Sequence, residues 1–440
     1  MSETLKSADI TALAKDPGPG SAARFGAMAD GLKGSEILRI ANEVKALLAT
    51  GKPLCDLTVG DFSPKEFPIP QRLKDALASA VARGETNYPA TPGMPSLREA
   101  VRAFYRRELE LDYPLESVVI TSGSRPGIYG SFRALVDAGD RVVYPVPSWN
   151  NNHYTHLVGG EGVPLLCRAG DNFMPSREAV RATLPRTRLL CLCSPQNPTG
   201  SVFARETLLG ICEDVLAENE ARERRGERPL YVLYDQVYWT LTFGSARHYT
   251  PPGLVPEMTR YTVLVDGISK AFAATGLRVG WVVGPTDVVA KLTALLGHVG
   301  TWAPRPEQLA TAELLQDAAA VAAFRESFKA GVQQRLNVLS AGLLKMKDEG
   351  LPVDCLTPQG AIYLSARIAP FGGRTTDGAL QTTDDIRRYV LNAAGMALVP
   401  FNAFGMKDDD GWFRLSVGAV SLRDVEESLP RLRNALRSLA

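Results

Sequence analysis

From residue 35 onward the chain alternates between two hydrophobic rhythms. Ile37, Leu38, Ile40, Ala41, Val44, Leu47 and Leu48 recur at helical spacing, so residues 35–48 read as a helix with one apolar stripe. Residues 70–83 and 96–109 follow the same rule, the second opening on a Ser96 cap with Glu99 three residues on. The rhythm then shortens. Residues 117–121, 141–144, 163–166, 189–193, 230–234 and 261–266 are brief apolar, β-rich runs separated by helical or turn-rich stretches. This alternation predicts an α/β fold, a mostly parallel sheet with helices on both faces. Several of these strands end in Gly, Ser, Asn or Asp, where open α/β sheets place ligands. A long helical region over 306–349 precedes four short strands, 353–356, 361–365, 397–400 and 412–417. A last helix covers 422–439, giving a smaller α+β domain. Residues 218–227 read as a charged loop, and residues 1–33, polar and punctuated by Gly and Pro, as a loose arm.

Composition narrows the class. The chain is 45% hydrophobic and 22% charged, which is ample for a large core. A net charge of +1 gives no field that would favour nucleic acid or an anionic membrane. No apolar run approaches the ~20 residues needed to span a bilayer. The first twenty residues lack the apolar segment of a secretory signal, so a cytoplasmic location is expected. Of the six cysteines, Cys191 and Cys193 fall in a buried run. With no second Cys or His pair at zinc spacing, they read as reduced core thiols and no metal is expected.

Four segments carry chemistry. In GISKAFAATGLRVG, residues 267–280, Lys270 follows a strand; Ser269 precedes it and Arg278 lies eight residues on. A lone lysine after a strand is ordinarily a surface residue. The small residues around this one indicate something bulky against the backbone. TSGSRPG, residues 121–127, is a glycine turn opening a helix, where backbone N–H groups meet anions. In SPQNPTG, residues 194–200, two X-Pro steps and a glycine make a rigid turn around Asn197, which a purely structural turn does not need. In YDQVYWTLTF, residues 234–243, Asp235 ends an apolar strand; it is either a helix cap or a buried functional acid.

In this order and spacing the segments resemble the class I/II aminotransferases, the aspartate aminotransferase-like branch of fold type I, over about residues 34–440. The resemblance implies pyridoxal 5'-phosphate, held covalently by Lys270, with its phosphate on Ser269, Arg278 and the backbone of Gly123, Ser124 and Arg125. Asp235 pairs with the pyridine nitrogen, Asn197 and Tyr238 bond the phenolic oxygen, and Trp149 stacks on the ring. Gly60 lies beside the substrate with Trp149 and Asn197, and Arg414 grips its α-carboxylate. Tyr88 matches a tyrosine that reaches the partner's phosphate, implying a homodimer with shared sites. The implied domains are 34–64 and 326–440 for the small one and 65–325 for the large one. The implied reaction is ping-pong transfer of an amino group from an L-amino acid to a 2-oxo acid. Lyase and decarboxylase chemistry on the same fold shares these residues and stays open. A pyridoxal-phosphate-binding regulator would carry an appended DNA-binding domain, for which the arm leaves no room.

Departures bear on the substrate. Arg125 falls where related bacterial aspartate aminotransferases carry a lysine near the distal carboxylate. It either plays that part or points to solvent and offers only its N–H. Ile37 replaces a hydroxyl residue at the same carboxylate, residues 150–153 (Asn-Asn-Asn-His) are unusual, and Gly60 is followed by Asp-Phe-Ser-Pro instead of Glu-Pro-Asp-Phe.

Overall fold

The computed structural model describes residues 10–11, 14–15, 25–34, 36–376 and 378–439. Residues 1–34 and 35–440 form separate compact units. The expected arm lies largely outside the described residues; what is described includes one exposed helical turn, Ala27–Asp30. No helix among the described residues is long and apolar enough to cross a membrane.

Seven strands form the main sheet: β1 (Val118–Thr121), β2 (Arg141–Val146), β3 (Glu161–Leu166), β4 (Thr187–Cys193), β5 (Tyr231–Asp235), β6 (Thr262–Gly267) and β7 (Gly280–Val283). Their order is β1-β7-β6-β5-β4-β2-β3. All neighbouring pairs are parallel except those of β7, which runs antiparallel to both β1 and β6. Side chains alternate across the sheet as a period of two requires. Leu190, Leu192, Val232 and Leu264 join one buried cluster, and Leu189, Cys191, Leu233 and Val263 the cluster on the other face. Helices Gln71–Ala82, Pro95–Leu109 and Arg305–Gln316 pack together, as do Ser124–Leu135 and Thr286–Val299. Because β1 runs in the direction of β6, the ends Thr121, Val146, Cys193, Asp235 and Gly267 all face one edge of the sheet. That edge is where the four chemical segments emerge.

A second sheet orders its strands β10-β11-β9-β8, with β8 Val353–Cys355, β9 Tyr363–Ile368, β10 Val399–Pro400 and β11 Trp412–Ser416, all antiparallel. Its cluster includes Val332, Leu336, Leu339 and Leu343 of the long helix Ala318–Asp348 and Val425 and Leu432 of the helix Leu422–Arg437. The chain from Cys55–Asp56, paired in parallel with Met396–Ala397, continues along this sheet. Ser416 N–H donates to the Leu57 carbonyl at 2.8 Å and Ser416 Oγ to that of Val59 at 2.6 Å.

Five expectations need correction. Ser96 is not a cap: Pro95, with φ already fixed for a helix, starts the helix one residue earlier after Met94. Glu99 pairs instead with Arg102. The helical region 306–349 is two helices, broken at Asp317, whose carboxylate accepts from the Ala320 N–H at 2.9 Å and caps the second. Residues 218–225 are the end of the helix Arg205–Arg225, where Glu218 pairs with Arg222 and Arg225 across successive turns. The predicted strand 397–400 is divided between two sheets. Finally, β7 and the helix Thr286–Val299 were not anticipated.

Leu339 has no exposed surface, whereas Gln334 lies on the open face of the same helix. Leu339→Ala is expected to cost roughly 2–5 kcal/mol of stability and Gln334→Ala to stay within about 0.5 kcal/mol, as read by urea unfolding.

Candidate active site

The chain ends described above converge on a cavity of about 590 Å³. Ser124, Arg125, Trp149, Asn197, Asp235, Tyr238, Ser269, Lys270, Arg278, Arg414 and Gly60 all line it. Gly123 sits just behind, at the entry of the helix Ser124–Leu135. Tyr88 is not brought to the cavity of its own chain. The residue is 81% exposed, and its ring meets Trp302 edge-on, with centroids 5.3 Å apart.

Lys270 occupies the short helix Ile268–Ala271 that follows β6. Its Nζ donates to the Gly60 carbonyl at 2.5 Å and lies 5.7 and 5.8 Å from the ring centres of Phe62 and Tyr238. Burial lowers its pKa to about 8. Arg414, Arg125 and Arg278 push the same way, and Asp61 opposes them. The carboxylate of Asp235, at the end of β5, accepts one hydrogen bond among the described residues, from the Val237 N–H at 3.2 Å. Burial raises its carboxyl to about 6, against the pull of that N–H and of Lys270. The acid therefore has unused acceptor capacity facing the cavity.

Arg278 is held in the left-handed region, φ 55°, just before β7. Its guanidinium donates to the carbonyls of Thr275 at 2.7 Å and Ser122 at 3.1 Å, joining the lysine segment to the glycine turn. Gly123 permits this: its φ is +80°, and a Cβ there would stand 2.3 Å from Arg278 Nη2. Arg414 is almost completely buried. It donates to Asn197 Oδ1 at 3.1 Å and to the Thr58 carbonyl at 2.6 Å, between the rings of Tyr363 and Phe404 at 4.7 and 4.9 Å. Its Nε, also buried, has no hydrogen-bond partner among the described residues. The Arg125 side chain, though exposed, turns to the cavity and lies 4.4 Å over the Trp149 ring.

Sequence reasoning missed Tyr363, Asp61 and Thr275. Tyr363 hydrogen-bonds Tyr238, hydroxyl to hydroxyl, at 2.5 Å, and burial raises the pKa of both phenols. It sits in an ordinary apolar strand, and nothing in the local pattern marks it. The run after Gly60 had been noted as unusual; the structure shows Asp61 lining the cavity. Of residues 150–153 only Asn151 lines it, whereas Ile37 does. Cys191 and Cys193 are free thiols, Cys191 in a buried cluster as expected. Both border the cavity, with Cys193 paired in register with Asp235.

The charged lining comprises four bases (Arg125, Lys270, Arg278, Arg414) and two acids (Asp61, Asp235). That surplus suits a ligand bearing a phosphate together with a carboxylate-bearing substrate. Gly123→Ala is expected to displace the Arg278 guanidinium and weaken the binding of pyridoxal phosphate by roughly tenfold or more, measured by equilibrium titration with the cofactor.

Known proteins place the chain in a family. The family model for aminotransferases of class I and II matches residues 52–432. The aspartate aminotransferase of Rhizobium meliloti (strain 1021) is 31% identical over 416 residues, covering 92% of this chain and 94% of that protein. That of Geobacillus stearothermophilus is 30% identical over 416 residues, covering 92% and 97%. Among solved structures, the Rhizobium meliloti aspartate aminotransferase superposes with a TM-score of 0.84 at 29% identity, covering 95% of this chain and all of the other. The Thermus thermophilus aspartate aminotransferase with maleate gives 0.83 at 27%, covering 94% of this chain and 100% of the other. With its sheet, its lysine after β6 and its cation-rich cavity, the chain belongs to the class I and II aminotransferases and is a pyridoxal-phosphate-dependent transaminase.

Proposed function

We propose that this transaminase takes an acidic amino donor. The observation that carries the reading is the Arg125 guanidinium over Trp149, in the same cavity as the buried Arg414. Two cations in one cavity suit the two carboxylates of such a substrate: Arg414 the α-carboxylate beside Gly60, and Arg125 the distal one. The Thermus thermophilus neighbour was solved with maleate, itself a dicarboxylate. A second reading, a neutral apolar donor, draws support from Ile37, which lines the cavity and offers no hydroxyl.

In this proposal Ser269, Arg278 and the turn Gly123-Ser124-Arg125 hold the cofactor phosphate, and Trp149 covers the ring. Asp235 takes the ring nitrogen with the acceptor capacity left free in the structure. Asn197 and Tyr238 bond the phenolic oxygen. Bound there, pyridoxal phosphate supplies an electron sink for the pair left when the substrate loses its Cα proton. Lys270 Nζ, which lines the cavity, would take up and hand back that proton. Its lowered pKa leaves a useful fraction of neutral amine near neutral pH. The amino group thus passes from an amino acid to a 2-oxo acid in two half-reactions.

The domain division, residues 34–64 with 326–440 against 65–325, belongs to the same proposal; the two sheets with their separate buried clusters support it. So does a homodimer in which the exposed Tyr88 completes the partner's phosphate site. Six free thiols support a reducing, cytoplasmic setting.

Borohydride reduction of the purified protein is expected to fix the cofactor on the peptide containing Lys270; label on another lysine would refute the assignment. Lys270→Ala should lose turnover by several orders of magnitude, because it lacks both the covalent link and the proton carrier. Arg125→Ala should lower kcat/KM for aspartate and glutamate by roughly tenfold, about 1.4 kcal/mol, and leave alanine and phenylalanine nearly unchanged. Equal losses for acidic and neutral donors would favour the apolar reading.

A further inference from the structure

The segment after Gly60 holds a carboxylate that the proposed reaction does not use. Asp61 lines the cavity. Its Oδ1 accepts from Thr275 Oγ1 at 2.5 Å and from the Phe62 N–H at 2.7 Å. Thr275 belongs to the turn between Lys270 and Arg278, and its carbonyl in turn accepts from Arg278 Nη1. The residue before Asp61 supplies the carbonyl that receives Lys270 Nζ, and the residue after it supplies a ring beneath that amine. Asp61 is therefore tied by side chain to the lysine loop and by backbone to the two groups that cradle the lysine. Its second oxygen, Oδ2, makes no hydrogen bond among the described residues.

We propose that Asp61 is a positioning residue: held at its station by Thr275, it fixes the Gly60 carbonyl against the Lys270 amine and sets a negative charge in that wall of the cavity. The charges around Lys270 come from every side of the cavity. Arg125 enters from the helix Ser124–Leu135, Arg278 from the turn before β7 and Arg414 from β11. Asp235 comes from the end of β5, while Tyr238 and Tyr363 carry phenols whose pKa burial has raised. Asp61 is the largest of the electrostatic influences on the amine, and it favours the charged form. Without it, burial and three arginines are opposed by one fewer carboxylate, Asp235 remaining. Its effect is to keep the lysine in place and partly protonated in a cavity that otherwise disfavours a cation.

The inference rests on Lys270 being the residue that captures pyridoxal phosphate, and the test separates the two. The full-length protein, freed of cofactor, is mixed with pyridoxal phosphate across a range of pH, and the capture rate is followed by absorbance. Only the neutral amine attacks the aldehyde, so the midpoint of the rate profile reports the lysine. Asp61→Asn keeps the Oδ1 acceptor for Thr275 and loses only the charge. Its midpoint is expected to move about one unit to lower pH, with capture at neutral pH roughly five- to tenfold faster. Asp61→Glu should bring the midpoint back towards wild type. Thr275→Val, which releases the carboxylate, should move it the same way as Asp61→Asn but less. A midpoint unmoved in Asp61→Asn, or Glu behaving as Asn does, overturns the proposal. If Asp61→Asn fails to fold, an unmoved midpoint in Thr275→Val overturns it equally. Borohydride reduction and peptide mapping accompany each profile. Label away from Lys270 defeats the lysine assignment, whereas label on Lys270 with unmoved midpoints defeats only the role of Asp61.

Discussion

A lysine amine enclosed by protein and faced by three arginines is the constraint on which this structure turns. Desolvating an ammonium group costs several kcal/mol unless partners compensate. Lys270 has a backbone carbonyl at 2.5 Å, and the carboxylates of Asp61 and Asp235 in the same cavity act against the arginines. The balance leaves the amine neither permanently charged nor permanently neutral at physiological pH. A surface lysine lacks that property, and a transaminase needs it, since the same nitrogen must carry a cofactor and then a proton.

The main sheet exists to bring distant groups to that amine. β6 delivers Lys270, β5 delivers Asp235 beside Cys193 of β4, and β1 opens into the glycine turn. The edge arrangement β1-β7-β6 brings the phosphate turn and the lysine turn together, and it depends on very small residues. At Gly280 an added Cβ would lie 2.6 Å from the Ser124 nitrogen. Backbone at that point leaves no room to give, so even alanine there would push apart the two turns that share Arg278. The second sheet supplies the remaining wall. Arg414 of β11, wedged between Tyr363 and Phe404, reaches Asn197 of the main sheet's loop, so a carboxylate site is assembled from segments 217 residues apart.

Much of this was legible in the sequence. The six parallel-type strands and the residues at their ends could be read because buried strands and glycine- or proline-bearing turns leave strong local patterns. Eight of the cavity residues named from the sequence lie in the four motif segments and proved to be neighbours for the same reason, joined by Gly60, Trp149 and Arg414, to which resemblance alone pointed. What escaped was set by tertiary context. Four-residue β7 is too short to show periodicity and runs against the parallel rule. The charged end of the helix Arg205–Arg225 reads as a loop because its stabilising pairs, Glu218 with Arg222 and Arg225, become visible only once the helix is wound. Tyr363 and Asp61 owe their places to partners 125 and 214 residues away, which no local window contains.

The most direct test of the account is the titration of Lys270 itself. Competitive labelling of the cofactor-free protein with trace acetic anhydride, followed by quantification of the Lys270 peptide across pH, measures the neutral fraction of that one amine. The account predicts a midpoint of about 8, lowered by burial and the surrounding arginines. A midpoint at the ordinary lysine value of about 10.5 would contradict it, since the amine would then be no more available for chemistry than one on the surface.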